Sequence, residues 1–365
     1  MPIRIATFNL ENLYARFDFA GKVNREQRVV GTYAVAEKAA YETMRMAFEA
    51  VASDDVRQLT ALAIADAQAD VICLQEVDSQ QALDVFYDHY LYPVLRQKFG
   101  QAAKGWTDAE RLARDAAYFY DQRHVISGND TRGIDVGVMA NRAVSLRSNA
   151  ELTYSFIADA PLDWPAIEAR GIKRTDRVLR RDCVAVEVDA GGVPLTIFNC
   201  HLKSMSAVTR GGDGRAETQP LRLAEVWAVR RLVEQRFSGR AHEANWAICG
   251  DFNDFSEVDG VRTRHTALGP LLDDGFAINT MERRAPADRW THYYPEGDAH
   301  VQLDYILLSP RLAAANPDAV PEVVRKGLPY RVPRLEGAPR YPRVGWARPK
   351  ASDHCPVVIA LDVPP

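Results

Sequence analysis

The sequence predicts a layered α/β fold built on mixed β-sheets. Apolar strand-like runs alternate with helical stretches, and a hairpin stands among the helical crossovers. Hairpins and crossovers in one chain argue against a purely parallel sheet. With 365 residues, 47% of them hydrophobic, the chain can bury a large core, and its length permits one big α/β domain or two ordinary ones. No internal repeat or low-complexity linker divides it.

Ile3 to Phe8 reads as a short strand ending at polar Asn9. From Ser53, the acidic first turn Asp54-Asp55 and apolar Leu59, Leu62 and Ala63 predict an amphipathic helix that stops at Asp70. Val71 to Leu74 then reads as a buried strand delivering Gln75 and Glu76 at its end. Thr107 and Glu110 have capping-box spacing ahead of a helix expected to reach about Tyr120. Val184 to Val188 and Val193 to Asn199 flank Gly191-Gly192, a hairpin signal, and the second strand carries the chain to His201. A long helix is expected from about Leu221 to Phe237, followed by strands at Trp246 to Cys249, Val301 to Leu308 and Pro356 to Ala360.

Ala15 to Met46, Gly100 to Arg132 and Pro310 to Lys350 read as insertions. The last is rich in proline and is expected to be irregular. Between Arg325 and Lys350 it carries eight Lys or Arg against the single acid Glu336, with Tyr330, Tyr341 and Trp346 interleaved. Such a segment suits a surface that tracks a polynucleotide strand, and equally an insertion that covers a sheet edge.

The formal charge of −4 gives no whole-chain attraction to a polyanion, so nucleic acid is neither excluded nor favoured on that ground. Cys73, Cys183, Cys200, Cys249 and Cys355 all lie in or beside apolar runs without CxxC or Cys/His ligand spacing. Core packing in a reducing compartment is the expectation, rather than a zinc site or a disulfide framework. Only Met-Pro-Ile-Arg-Ile-Ala precedes the first motif, too little for a secretory signal, and no apolar run approaches the roughly 18 residues of a membrane span. The expected location is the cytoplasm.

Short polar motifs recur in a fixed order beside the apolar runs: TFNLEN from Thr7, LQE at Leu74 to Glu76, NCHLKS at Asn199 to Ser204, GDFND at Gly250 to Asp254, and SDHCP at Ser352 to Pro356. Acids, amides and histidines in this recurrence suit phosphoester hydrolysis. That chemistry needs a cation on the phosphoryl oxygens, a group to orient water, and donors for the developing charge. Mg²⁺ needs only one or two protein carboxylates, and Glu76 with Asp353 is the obvious pair. Asp251 and Asn253 would face one side if the chain stayed extended, whereas a turn is the ordinary fate of Asp and Asn after Gly. His354 needs a carboxylate to fix its tautomer, and Asp304, inside an apolar run, needs a partner to be buried. His201 follows a strand. Among the remaining histidines, at positions 89, 124, 242, 265, 292 and 300, His292 and His300 stand out only because they precede the Asp304 strand.

With LDYILLS from Leu303 added, the ordered set resembles the endonuclease/exonuclease/phosphatase superfamily, over one domain spanning the chain (1–365) with the insertions named above. The resemblance implies a four-layer α-β-β-α sandwich, two packed mixed sheets with helices on the outer faces. It implies that Asn9, Glu76 and Asp353 hold a divalent metal, Mg²⁺ or also Mn²⁺, with Glu11 a looser match. It implies that Asp251 and Asn253 position water and the scissile phosphate, that Asp304 and His354 form a dyad, and that His201 contacts phosphate. Arg181, in the basic stretch from Lys173, matches a phosphate-contacting arginine. Arg132 to Gly137 resembles a segment where some nucleases carry an active-site tyrosine, and none occurs here. The leading expectation is a Mg²⁺-dependent phosphodiesterase acting on nucleic acid as a nuclease. The alternatives are a phosphomonoesterase or a lipid or small-molecule phosphodiesterase and, from another class, a binding module on the same fold.

Overall fold

A computed structural model describes residues 2–13, 54–100, 107–111, 118–126, 128, 130, 133–141, 145–149, 164–169, 173, 178–263 and 266–365. The proposed insertion at Ala15 to Met46 lies outside the described residues, and so does much of Gly100 to Arg132. The main elements run in the order β1 (Ile3–Leu13), α1 (Asp54–Ala67), β2 (Val71–Val77), α2 (Gln80–Phe86), α3 (Tyr92–Phe99), β3 (Gln122–Ile126), β4 (Asp135–Ala140), β5 (Ser145–Asn149) and α4 (Trp164–Glu168). They continue with β6 (Val184–Asp189), β7 (Pro194–His201), α5 (Gly214–Arg236), β8 (Trp246–Asp251), β9 (Glu257–Val258), β10 (Val261–Arg262), α6 (Gly269–Leu272), β11 (Ile278–Asn279) and β12 (His292–Tyr294). The last are β13 (Ala299–Val301), β14 (Asp304–Leu308), α7 (Pro310–Ala315), β15 (Glu322–Val323) and β16 (Val357–Leu361).

Two six-stranded sheets form the frame, one ordered β15-β16-β1-β2-β4-β3 and the other β11-β14-β8-β7-β6-β5. Both are mixed: β1 and β2 are parallel, as are β7 and β8, while the other pairings within these sheets are antiparallel. Alternation along the strands decides the layers. Ile5, Cys73, Val136 and Val138 of the first sheet share a buried core with Val186, Ile197, Ala247, Cys249 and Ile306 of the second. The opposite face of the first sheet, with Ala6, Phe8, Ile72 and Leu74, packs on Leu59 and Ile64 of α1. Phe198, Ile248 and Tyr305, on the far face of the second sheet, pack on Val229 and Val233 of α5. The result is the four-layer α-β-β-α sandwich.

Where the layers meet, polar motif residues bridge the sheets. Gln75 on β2 donates from Nε2 to Asn199 Oδ1 on β7 at 2.8 Å, and Asn199 Nδ2 donates to the carbonyls of Leu74 and Gly137. Gln75 and Asn199 are fully buried, so this network satisfies groups that would otherwise be costly there. All five cysteines are buried and none is in a disulfide.

Several sequence expectations are corrected. Val301 to Leu308 is not one strand: it breaks at Gln302-Leu303, because Thr291 Oγ1 accepts from Leu303 N and Asp304 N and turns the chain from the small sheet β10-β9-β13-β12 into the main one. The long helix starts at Gly214 instead of Leu221, since Asp213 caps it by accepting from Arg215 N and Ala216 N, and Pro220 is accommodated inside. β1 continues past Phe8 to Leu13, with a register shift after Asn9 and left-handed Glu11 and Asn12. The Pro310–Lys350 stretch is not wholly irregular, for it holds α7 and the edge strand β15. The Gly191-Gly192 hairpin is present, both glycines having positive φ, as is the Thr107–Glu110 capping box.

The basic segment is largely neutralised by acids of the sandwich. Arg325 pairs with Asp288, Lys326 with Asp66, Arg334 with Asp259, Arg343 with Asp55, and Arg348 with Glu11. Tyr341 is buried and donates to Asp66 at 2.9 Å, so it faces α1 and not solvent.

One glycine fixes the approach of two strands. Gly250 has φ 150, and a Cβ there would collide with the backbone carbonyl of Cys200 on β7. Gly250→Ala is expected to lower stability by about 2–5 kcal/mol, combining backbone strain with overpacking. Chemical denaturation checks this, and a change within about 0.5 kcal/mol would contradict it.

Candidate active site

Strand direction explains why residues distant in sequence meet. Parallel β1 and β2 run toward one end of the sandwich and deliver Asn9 and Glu76 there. Parallel β7 and β8 deliver His201 and Asp251, paired in register, to the same end of the other sheet. β14 is antiparallel to β8 and begins at that end, with Asp304 opposite Asp251. β16 is antiparallel to β1, so the residues just before it, Ser352 to Cys355, also lie there, and Ser352 Oγ donates to the carbonyl of Asn9 at 2.7 Å.

The centre is Oδ2 of Asp251. It accepts from Asn9 Nδ2 at 2.9 Å and from Asn253 Nδ2 at 3.0 Å. His201 Nε2 lies 3.5 Å from it and His354 Nε2 3.7 Å. Asp251 and Asn253 do not share an extended strand. β8 ends at Asp251, Asn253 takes a left-handed φ of 49, and its N–H donates to Asp251 Oδ1 at 2.8 Å, so a tight Asx-type turn folds the amide back onto the acid. Asp254 serves the fold beneath: it accepts from Arg215, Arg222 and the backbone of Ala267.

Burial raises the Asp251 carboxyl to about 7 despite the nearby His354 charge. Burial would lower the imidazole of His354, but Asp304 and Asp251 outweigh it and hold His354 well above its ordinary value. His354 Nδ1 lies 2.9 Å from Asp304 Oδ2 and 3.1 Å from Oδ1, and Thr291 Oγ1 donates to Oδ2 at 2.6 Å. Asp304 is fully buried, and these partners satisfy it. With Nδ1 committed to the carboxylate, Nε2 is the nitrogen turned toward Asp251.

Among the expected metal residues, Asn9 is tied to Asp251, and Glu76 Oε2 accepts from Asn12 N at 2.9 Å while Oε1 stands 3.9 Å from His201 Nε2. Asp353 is partly exposed, with Lys350 Nζ 3.9 Å from its Oδ2. Against the effect of burial, the charges on His354 and Lys350 hold its carboxyl below the usual range. Glu11 is drawn in by the left-handed bulge of β1. Lys350 Nζ lies 3.0 Å from its Oε1, and its Oε2 is buried without a hydrogen-bond partner. Burial and the Asp353 charge raise the Glu11 carboxyl. An orphaned carboxylate oxygen suits a hard ion of the Mg²⁺ type, but among the described residues Glu11, Glu76 and Asp353 do not bring three ligand atoms within 4.8 Å of one another.

Arg181 is buried. Its Nη1 donates to the carbonyl of Leu202 at 2.8 Å, the same carbonyl that accepts from Asn253 Nδ2, and its Nε lies 3.0 Å from Asp130. It therefore supports the loop after His201. Sequence reasoning missed Thr291 and Lys350 and gave no role to Tyr294 or His292. The Tyr294 ring lies 4.4 Å from that of His292, and burial with the Asp251 and Asp353 carboxylates pushes its phenol up. His292 is held neutral, lowered to about 3 by burial and by the neighbouring His354. Thr291 directly precedes β12 and His292 opens it, in the small sheet that feeds β14, a position only the tertiary pairing reveals.

Fold and site together define an α-β-β-α sandwich protein with an acid, amide and histidine centre at the strand ends. The chain belongs to the Endonuclease/Exonuclease/phosphatase family, which it matches over residues 6–354. Similar solved structures include a humanised D. rerio TDP2 carrying 14 mutations, at 13% identity and TM-score 0.50, covering 99% of this chain and 99% of that one. Another is the AP endonuclease LMAP from Leishmania major, at 12% identity and TM-score 0.50, covering 100% of this chain and 88% of that one. At these identities the likeness is one of fold. Comparison with curated proteins gives no match. Among the described residues, no helix is long and apolar enough to cross a membrane.

Proposed function

We propose that the chain is a metal-dependent phosphodiesterase that cleaves nucleic acid by in-line attack of water on phosphorus, working as one domain in the cytoplasm. The observation that carries this reading is the convergence on Asp251 Oδ2 of Asn9, His201, Asn253 and His354, drawn from separate motifs and from both sheets. Asn9, Glu76 and Asp353, with Glu11 beside them, would hold Mg²⁺ or Mn²⁺, which when bound neutralises the phosphoryl oxygens. Asp251 orients the attacking water and takes up its proton, a task that suits a carboxyl near 7. The His354 imidazolium, fixed by Asp304, donates to a phosphoryl oxygen as charge develops, and Asn253 and His201 supply further donors. Arg181 acts through the Leu202 carbonyl, holding His201 and Asn253 in place.

A polynucleotide is favoured as substrate by the end of the basic segment. Tyr330 N donates to the carbonyl of Gly345 and Arg331 N to that of Trp346, which sets two exposed aromatics, Tyr330 at 52% and Trp346 at 74%, on neighbouring irregular stretches of chain. Arg340 lies over the Tyr330 ring at 5.5 Å. Two residues beyond Trp346, Arg348 reaches Glu11 of the site at 2.6 Å. Exposed rings with cations suit base stacking and phosphate contact. Five buried, unpaired cysteines fit a reducing compartment.

A panel of single-stranded DNA, duplex DNA, RNA, a minimal phosphodiester and a phosphomonoester, each with Mg²⁺, Mn²⁺ or EDTA, tests the reading. Metal-dependent cleavage of a polynucleotide is the expected result. Turnover of the phosphomonoester alone would overturn it, and binding without turnover would favour a binding module. Trp346→Ala is expected to raise KM on an oligonucleotide about 5–100-fold, the loss of one stacked base, with little change on the minimal diester. Equal effects on both substrates would remove the stacking role.

A further inference from the structure

His292 takes no part in the reaction proposed above, yet it is a buried imidazole beside His354. β12 carries it into an isolated antiparallel bridge with His354, and the rings lie 4.8 Å apart. Asp353 completes a cluster in which one ligand atom from each of His292, Asp353 and His354 lies within 4.8 Å of the others. His292 is only 8% exposed, and its Nδ1 is buried without a hydrogen-bond partner. Buried polar atoms are nearly always satisfied, so an orphaned imidazole nitrogen in a cluster of ligand types points to a ligand.

We propose that His292, Asp353 and His354 form a second cation position, distinct from the oxygen donors Asn9 and Glu76, that takes a borderline ion such as Co²⁺ or Zn²⁺. Two imidazoles and one carboxylate are the wrong set for Mg²⁺, which prefers oxygen throughout, and a suitable one for these ions. The hydrogen bonds of His354 agree: Nδ1 is engaged by Asp304, which leaves Nε2 for a metal once it gives up the proton it carries in the reaction proposed above, and a carboxylate behind the ring is the usual support of a ligating histidine, so that occupation of this position and turnover exclude each other. Nε2 also stands 3.7 Å from Asp251 Oδ2, within reach of a further oxygen ligand. Lys350 lies 3.9 Å from Asp353 but closer to Glu11, at 3.0 Å, so its ammonium is anchored on the far carboxylate. Asp353 would be shared between the two cation positions.

The test uses the full chain, stripped of metal by a chelator, and no substrate, so its outcome is independent of the phosphodiesterase reading. Titration with Co²⁺, followed by calorimetry and visible absorption, should reveal a nitrogen-ligated equivalent that excess Mg²⁺ does not displace. His292→Ala should weaken that equivalent at least about 10-fold while Mg²⁺ binding persists. Circular dichroism establishes that the variant is folded, and His292→Asn serves in its place if it is not. Wild-type protein whose Co²⁺ is wholly displaced by Mg²⁺, or shows only the weak spectrum of six oxygen ligands, would overturn the proposal. So would an unchanged Co²⁺ spectrum in folded His292→Ala.

Discussion

Asp251→Asn is expected to lower kcat on a phosphodiester substrate by about 10²–10⁴-fold, the range for loss of a positioned acid–base group. The substitution keeps the volume of the side chain and removes its charge. Both carboxylate oxygens accept: Oδ1 from Asn253 N, Oδ2 from the amides of Asn9 and Asn253. An amide must turn its NH₂ toward one of these donors, so one hydrogen-bond set is broken at a cost of about 1–3 kcal/mol. Burial disfavours the charged carboxylate in the first place, which offsets part of that cost. Steady-state kinetics together with a melting curve separate the two effects. A folded Asp251→Asn protein with kcat within about threefold of wild type would remove Asp251 from the mechanism, since loss of even a weak general base exceeds that.

His354→Ala is expected to cost a comparable 10²–10⁴-fold in kcat, and to cost stability in a pH-dependent way. It strands Asp304, which is fully buried and keeps only Thr291 as side-chain partner. Removing one member of a buried pair costs about 3–5 kcal/mol. The sign follows from His354, whose folded pKa is raised above its unfolded value of 6.5. Its stabilisation is fully present below 6.5 and disappears as pH rises through the raised folded value. The difference in Tm between wild type and His354→Ala should therefore be largest at acidic to neutral pH and shrink in alkali. Asp304→Asn tests the dyad from the other side: if the two act as a unit, the double variant loses much less than the product of the single losses. Multiplicative losses would mean that Asp304 and His354 act separately.

Which residues converge on Asp251 is legible in the sequence in proportion to how local the signals are. Asn9, Glu76, His201 and Asp251 each sit in or at the end of an apolar run, so strand assignment alone brings them to a common end once the pairing is known. Asp304 stands out for a physical reason: a carboxylate in an otherwise apolar run demands a partner if buried, and His354 is its partner. Thr291, His292, Tyr294 and Lys350 lie in short strands or irregular chain without periodicity, and their roles come only from tertiary pairing. The break at Gln302-Leu303 is hidden because most of Val301 to Leu308 is strand-like and apolar, while the break itself is imposed by the hydroxyl of Thr291. The basic segment was ambiguous by composition. Its acidic partners Asp55, Asp66, Asp259 and Asp288 come from other parts of the sequence, so only the folded chain reveals which of its side chains are occupied and which, such as Trp346, are exposed.

The central claim is hydrolysis by attack of water on phosphorus at the Asp251 centre, and oxygen-isotope incorporation tests it most directly. A single turnover of wild-type protein on an oligonucleotide, with Mg²⁺ in H₂¹⁸O, should yield a terminal phosphate carrying one ¹⁸O by mass spectrometry, while Asp251→Asn yields none in the same time. Label in the alcohol product, or no cleavage of any phosphodiester with Mg²⁺ or Mn²⁺, would contradict it.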